Sequence, residues 1–155
     1  MVFYERRSPR IPNYDYSSCG YYFITICTKD KKCIFGEANR LNDFGMIAES
    51  ELIAIEMHYD SIIIDKCVVM PNHVHAIIAI QNSGKSSLNT VIGQYKSGVT
   101  RKIRKLDPDR IVWQRSYHDH VIRNRKQYLK IWEYIDNNPA KWEEDCFYTT
   151  GEAET

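Results

Sequence analysis

The sequence predicts an α+β fold, namely a ferredoxin-like βαββαβ antiparallel sheet with an additional C-terminal helix. Three observations predict it. Runs rich in β-branched and aromatic residues alternate with amphipathic segments along the chain. The two central runs are separated only by Pro71-Asn72, and so short a connection joins antiparallel strands. The six elements of this order do not include a strong helical pattern at the end of the chain. This last helix is therefore free to cover the second face of the sheet.

Each element has a local justification. The first strand is the aromatic run YYFITICT, and a small hairpin is expected between it and the first helix, around Ile34-Phe35 and Arg40-Leu41. Asp43 offers an N-cap for that helix, and Pro139 stops the last one. Gly93 and Gly98 weaken the helical pattern of the long polar segment. The expected strands cover residues 21–28, 61–70, 73–80 and 111–121, and the expected helices cover residues 43–59, 87–105 and 124–137.

Length and composition favour one globular domain over residues 1–155, with an irregular arm at 1–20 and an acidic tail at 143–155. We find neither a membrane-length apolar run nor the apolar core of a signal peptide, so a cytoplasmic protein is expected. The five cysteines are an odd number without a CxxC pair. This pattern favours buried, reduced thiols over a disulfide or zinc framework.

The net charge of +1 conceals an uneven distribution. Residues 31–70 contain four basic and seven acidic side chains, whereas residues 82–130 contain twelve basic and three acidic ones. A local basic excess of this size is a plausible phosphate-binding surface, although many charged helix faces are only solvated. The predicted DNA-binding residues are Lys96, Arg101, Lys102, Arg104, Lys105, Arg115 and Arg123.

The run HVHAIIAI carries the first candidate chemistry. Alternate side chains of a strand point to opposite faces, so His73 and His75 share one face while Val74, Ala76, Ile78 and Ile80 share the other. Two imidazoles one residue apart converge on one point and are suited to chelating a divalent ion. The competing interpretation is a pair of half-exposed histidines at a strand end.

The last helix supplies a candidate nucleophile. At about 100° per residue, Tyr128, Ile131, Trp132 and Ile135 form one apolar stripe, with Tyr128 read as core packing. Tyr134 and Asn138 lie together on the shoulder of that stripe. If the stripe docks on the sheet, the Tyr134 hydroxyl and the Asn138 amide face the same area, and Asn138 becomes a candidate third metal ligand. The competing interpretation of Tyr134 is an amphipathic shoulder residue.

Three blocks of the chain resemble the signatures of the REP-associated tyrosine transposases, which are single-tyrosine HUH transposases. These blocks are VVMPNHVHAII, WQRSYHDHVIRN and EYIDNNPAKW, and they occur in the order of that family. The resemblance implies His73 and His75 as metal ligands and Tyr134 as the nucleophile. It implies Asn138 as the ligand that is glutamine in distant insertion-sequence relatives, and a histidine near the site at position 120.

The resemblance also implies the reaction. The tyrosine oxygen attacks a phosphodiester of single-stranded or hairpin DNA, forms a 5′-phosphotyrosine and releases a 3′-hydroxyl; a second strand end reverses the step. Mg²⁺ or Mn²⁺ is implied as the cofactor, although imidazole ligands also suit zinc. Relatives include monomers and dimers that exchange the tyrosine helix, so a homodimer remains open.

Two other hypotheses stay open at this point. The first is a zinc hydrolase or structural zinc protein that uses His73, His75, His118 and His120; the chain has no HExxH motif. The second is a DNA-binding protein of the same fold that no longer cleaves DNA. His118 is expected at the surface, like His58.

Overall fold

The computed structural model describes residues 19–81 and 86–149, so most of the predicted N-terminal arm lies outside the described residues. One four-stranded antiparallel sheet organises the chain, with the strand order β4-β5-β1-β6. This is the order of a βαββαβ ferredoxin-like sheet, and the predicted fold class is confirmed. The strands are β1 (Gly20–Cys27), β2 (Gly36–Glu37), β3 (Arg40–Leu41), β4 (Ile62–Met70), β5 (His73–Ile80) and β6 (His118–Ile122), and the helices are α1 (Asp43–Ile53), α2 (Ile55–His58), α3 (Leu88–Arg104) and α4 (Arg125–Asn137).

One face of the sheet packs against α1 and α3 and forms the larger core. The predicted set on β5 lies there, fully or almost fully buried, together with Tyr22, Ile24 and Ile26 of β1. Gly98 lies at the contact between the two helices. A β-carbon at this position would lie 2.9 Å from an oxygen of Glu51. The glycine that weakens the helical pattern is therefore a packing residue.

The other face is covered by α4, as the surplus helix predicts. Its core is small and contains Phe23, Ile77, Ile122, Ile131 and Ile135, with Val68, Tyr128 and Tyr134 packed against it. The alternation predicted along β5 therefore places its side chains on the same faces of the sheet as the structure does.

Trp132 departs from the predicted stripe on α4. Its side chain is 37% exposed, and the ammonium of Lys66 lies 4.0 Å from the centroid of its ring. Trp132 therefore covers the rim of the smaller core, and this cation–π contact takes the place of complete burial.

Two predicted elements are shorter than expected. The first helix is capped by Asn42, whose side chain accepts from the Gly45 amide, and it is interrupted at Ala54. The strand expected over residues 111–121 exists only as β6, because Trp113 pairs with Thr28 in an isolated bridge and the chain then turns before His118. The Thr28 contact competes with continuous pairing at the sheet edge.

The cysteines and the C-terminal segment complete the fold. All five thiols are free, and Cys27 and Cys33 are buried, whereas Cys19 and Cys146 are exposed and Cys67 is half-buried. Within the expected acidic tail, a 3₁₀ turn at Trp142–Glu144 is followed by buried Asp145 and Phe147. None of the helices in the described ranges has the length and apolar character that a membrane crossing requires.

Candidate functional site

The two histidines of β5 form the centre of the candidate site. His73 and His75 are 0% and 1% exposed, and their ring centroids lie 4.5 Å apart. Both point to the α4 face, as the alternation predicts. The interpretation as half-exposed strand-end histidines is therefore wrong.

Neighbouring side chains fix how each imidazole is used. The Nδ1 atom of His73 lies 2.8 Å from the Oδ1 atom of Asn72, and Nδ1 of His75 lies 2.8 Å from Oγ1 of Thr25. The Asn72 amide is oriented because its Nδ2 donates to the carbonyls of Lys31 and Phe147. Its Oδ1 must therefore accept, which puts the proton of neutral His73 on Nδ1 and leaves the lone pair on Nε2.

Tyr134 of α4 lies beside this pair in the same chain. The centroid of its ring is 5.4 Å from that of His75 and 6.3 Å from that of Phe23, with edge-on geometry to both. Tyr128, one and a half turns earlier, points elsewhere and donates its hydroxyl proton to Asp65. The two tyrosines of this helix are thus in different environments, and only Tyr134 borders the histidines.

Asn138 and Asp145 also lie beside the histidines and line the same cavity as Tyr134. Asn138 is 3% exposed and donates from Nδ2 to the carboxylate of Asp145. That carboxylate also accepts from the Phe147 amide and lies 3.8 Å from Nε2 of His73. Sequence reasoning missed Asp145 because it lies in an aperiodic acidic stretch; the aromatic residues that follow it were the available signal for a packed segment.

The donor atoms of the site fit a divalent metal. Within the described part of the chain, the Nε2 atoms of both histidines and Oδ1 of Asn138 are buried without a hydrogen-bond partner. Ligating atoms of His73, His75 and Asp145 lie within 4.8 Å of one another. Buried polar atoms without partners are costly in a folded protein, and a cation among them removes that cost. Two imidazoles with oxygen donors suit manganese or zinc, and the oxygens also suit magnesium.

Burial dominates the electrostatics of the site. It lowers the pKa of His73 to about 3, with the positive charge of Lys31 acting in the same direction and the nearby side-chain oxygen of Asn138, which favours the protonated imidazole, opposing it. Burial and the charge of His73 lower the pKa of His75 well below its ordinary value. Burial, followed by the negative charge of Asp145, raises the pKa of the Tyr134 phenol. At neutral pH the site therefore holds neutral imidazoles and a protonated phenol.

A cavity of about 570 Å³ gives access to the site. Tyr134, Asn138, Asp145 and Cys146 line it, together with charged side chains from the outer surface of α4 and the segment that follows. The phenol can thus be reached from the side of the last helix.

The second pair of histidines does not join the first. His118 and His120 of β6 pair with Thr25 and Phe23 of β1, so they share the face of the site but lie beyond β1. With strands about 4.8 Å apart, His118 and His75 are separated by roughly two strand spacings. The four-histidine zinc set is therefore not assembled. His118 is half-buried with its Nδ1 atom enclosed, so its expected surface position is also wrong.

The basic residues form a second surface, separate from the histidine site, at the end of α3. A groove of about 1030 Å³ runs between the end of α3 and the segment that follows, and acidic side chains are absent from its described lining. Five of the seven predicted DNA-binding residues line it, and Lys29 joins them. These five are Lys96, Arg101, Arg104, Lys105 and Arg115.

Two of the seven predicted residues lie outside the groove, and two of the five inside it, Lys96 and Arg104, also donate to backbone carbonyls. Lys102 forms an ion pair with Glu51 on α1, and Arg123 lines a separate pocket beside Tyr21. Neither belongs to the groove. Lys96 does, but its ammonium also donates to the carbonyls of Gln114 and Ser116 and so holds the far wall of the groove in place.

Comparison with known proteins agrees with the fold and identifies the family. The family model described as "Transposase IS200 like" matches residues 15–138. A Haemophilus influenzae protein whose name states no function is 40% identical over 94% of each chain. A second protein of that organism, named as a REP-associated tyrosine transposase, is 25% identical over 82% of this chain and 74% of its own length.

Solved structures share the fold. A REP-associated tyrosine transposase bound to a REP hairpin superposes with a TM-score of 0.66, at 22% identity, over 92% of this chain and 74% of the other. A Deinococcus radiodurans protein described as a transposase superposes with a TM-score of 0.55, at 16% identity, over 83% of this chain and 95% of the other. The fold and family together define a transposase. The chain belongs to the IS200-like transposase family.

Proposed function

We propose that this transposase cleaves and rejoins single-stranded DNA through a covalent 5′-phosphotyrosine on Tyr134. The observation that carries the proposal is the position of the Tyr134 ring, 5.4 Å from the ring of His75 within one chain. A nucleophile beside buried imidazoles with unengaged Nε2 atoms is the arrangement that this chemistry needs. One chain contains all of these groups, so the proposal does not require an exchanged helix.

His73 and His75 are the proposed metal ligands through Nε2, with Asn138 through Oδ1. Asp145 is added as a fourth ligand, through a carboxylate oxygen, on the strength of its proximity to both imidazoles. When bound, Mg²⁺ or Mn²⁺ polarises the scissile phosphate and stabilises the charge that develops on it. The Nδ1 hydrogen bonds of the two histidines keep their lone pairs directed at this position.

Tyr134 attacks the phosphorus in line through its phenolic oxygen. A bond forms between that oxygen and phosphorus, the bond from phosphorus to the 3′-oxygen breaks, and the 3′-oxygen takes up a proton. The phenol proton passes to solvent water in the cavity that Tyr134 lines, and the 3′-oxygen takes its proton from the same solvent, because the Asp145 carboxylate is assigned to the metal. A 3′-hydroxyl from a second strand reverses the step, so the energy of the phosphodiester is conserved and no nucleotide cofactor is needed.

The substrate proposed is a DNA hairpin with a single-stranded extension. A related fold binds a REP hairpin, and the groove beside α3 offers cations without acids for the phosphates of a folded stem. Lys96, Arg101, Arg104, Lys105 and Arg115 are its proposed contacts. The non-cleaving alternative shares this groove, so only a cleavage assay separates the two hypotheses.

The test uses a pool of single-stranded hairpins with randomised loops and flanks, incubated with manganese and separated on a denaturing gel. A label placed 3′ of the cleavage position is expected to migrate with the protein, and a label on the 5′ side is expected on a free fragment that ends in a 3′-hydroxyl. The opposite distribution of labels would contradict the proposed polarity.

Tyr134→Phe is expected to abolish the adduct while DNA binding and the unfolding temperature stay at parental values. Tyr128→Phe is the matched control, because this tyrosine lies on the same helix but contacts Asp65 rather than the histidines. A full yield of adduct from Tyr134→Phe would falsify the assignment. No adduct from the unmodified chain with any member of the pool would favour the non-cleaving protein.

A further inference from the structure

We propose that the turn Lys29–Lys31 is a phosphate-binding bridge, over which the single strand passes from the groove beside α3 to the candidate site. This inference rests on the proposed function and deepens it. It assigns a role to Lys31 and the adjoining cations, and it fixes the route of the substrate around one end of the sheet.

The contacts along this route are continuous. Lys29 lines both the large groove and a smaller pocket of about 540 Å³, whose other lining residues are Asp30, Lys31, Gln114 and Arg115. This smaller pocket therefore carries three cations and one carboxylate. It begins where the groove ends.

Lys31 connects that pocket with the histidines. Its ammonium lies 5.5 Å from the centroid of the Phe147 ring, and that ring lies 4.6 Å from the His73 ring. The Phe147 ring thus contacts both Lys31, the last cation of the route, and His73, a candidate metal ligand. A phosphate chain that leaves the groove meets Lys31 before it reaches Tyr134.

The turn is held in an uncommon conformation. Asp30 and Lys31 have φ angles of 56° and 54°, in the left-handed region that non-glycine residues seldom occupy. Buried polar groups maintain it: Thr28 donates from Oγ1 to the Lys32 carbonyl at 2.7 Å, and Asn72 donates to the Lys31 carbonyl at 3.1 Å. Backbone strain persists where the surroundings enforce it, and here it presents a fixed cation at the sheet end.

The geometry assigns different substrate parts to the two surfaces. The groove lies beside the helices that cover the larger core, whereas the histidines face α4. A stem bound in the groove reaches the site only by passing the end of the sheet, where β1 gives way to Lys29–Lys31. A blunt hairpin therefore needs the groove alone, whereas a hairpin with an extension uses the turn as well.

The experiment measures the binding of two DNA molecules in the Tyr134→Phe background, which leaves the DNA intact. One is a blunt hairpin and the other is the same hairpin with a single-stranded extension. Lys31→Gln is expected to weaken binding of the extended hairpin about fivefold and to lower the salt-dependence slope by roughly 0.7, the value for one phosphate contact on a single strand. Binding of the blunt hairpin is expected to stay unchanged.

Two further variants make the result specific. Lys31→Arg restores the charge and is expected to restore both the affinity and the slope. Lys126→Gln removes one exposed lysine that lines neither pocket, and it is expected to leave both unchanged.

Equal affinity of Lys31→Gln and the parent for the extended hairpin would overturn the bridge. So would an equal loss with the blunt hairpin, because the turn would then act on the stem. If the chain with Tyr134 intact forms the adduct in the cleavage assay, either outcome removes the bridge alone. If it neither binds these hairpins nor forms an adduct, the proposed function and the bridge fail together.

Discussion

The two faces of the sheet bury their side chains in different ways. On the face covered by α1 and α3, the buried side chains of β5 are Val74, Ala76, Ile78 and Ile80, and the core they join is continuous and apolar. On the face covered by α4, the same strand buries His73 and His75 beside a core of five buried apolar residues. The first face contains the larger apolar core, whereas the second brings together three polar atoms whose hydrogen-bonding capacity is unused.

This difference indicates which face carries chemistry. Protein interiors rarely leave donors and acceptors without partners, because each costs about 1–3 kcal/mol. The α4 face nevertheless keeps three such atoms together, on His73, His75 and Asn138. Buried polar atoms without partners are expected where a bound ligand supplies the missing interactions.

The largest expected effect is on metal binding. His75→Ala removes one of the converging Nε2 atoms and is expected to weaken manganese binding by more than the roughly 10- to 100-fold that loss of an outer partner costs. Isothermal titration of the purified chain measures it. His58→Ala is the matched control, since this histidine is exposed on α2. Unchanged manganese affinity in His75→Ala would remove the α4 face as the metal site.

The next effect is on stability and belongs to the opposite face. Ile78→Ala leaves a cavity in the larger core, where Ile78 is fully buried, and is expected to lower the free energy of unfolding by about 2–5 kcal/mol. Urea unfolding measures the loss, and metal affinity of the folded variant should not change. Ile53→Ala, at a position 58% exposed, is expected to alter stability by about 0.5 kcal/mol or less. Equal losses in the two variants would show that the faces are not distinguished as described.

A smaller effect on manganese binding is expected from Asn72, which contacts His73 but is not itself a proposed metal ligand. Asn72→Ala removes the acceptor of the His73 Nδ1 proton and is expected to weaken manganese binding by about 10- to 100-fold. Asn72→Asp keeps that acceptor but loses the donations to Lys31 and Phe147. It should therefore bind metal more tightly than Asn72→Ala. The reverse order would show that Asn72 acts only by holding the turn.

The last effect is a dependence of stability on pH. In the folded chain the pKa of His73 is about 3, against 6.5 ordinarily, so the unfolded chain binds more protons between these values. The stability contribution of neutral His73 is complete above pH 6.5 and is lost as the pH falls towards 3, at about 1.4 kcal/mol per pH unit. Urea midpoints in the presence of a chelator measure this slope, which His73→Gln should reduce. An identical slope in both proteins would contradict burial of a neutral imidazole.

Periodicity in the sequence was sufficient for the parts of the site that lie on regular elements. The two-residue repeat of β5 separates the histidines from the core set, and the helical angle on α4 brings Tyr134 to the same face. Periodicity carries no information about irregular segments, so the sequence pattern alone places Asp145 and Phe147 in a tail. Their burial depends on contacts with Asn138, Asn72 and the histidines, which only the tertiary structure brings together.

Tertiary contacts also decide what a side chain does beyond its local preference. Asn72 was interpreted as a turn former, which it is, but its amide additionally contacts three separate parts of the chain. Lys102 is indistinguishable by composition from its basic neighbours on α3, yet Glu51 of α1 engages it. Charge counts therefore located the basic region, whereas the division of its members between groove and ion pair required the packing of one helix against another.

The most direct measurement identifies the amino acid that becomes joined to DNA. After reaction with the hairpin pool and digestion with nuclease and trypsin, mass spectrometry distinguishes the peptide of residues 131–141, in which Tyr134 is the only tyrosine, from the peptide of residues 127–130, which contains Tyr128. The expected result is a nucleotide mass on the first peptide, attached to Tyr134. The same mass on the second peptide, or on any other part of the chain, would contradict the assignment of the nucleophile.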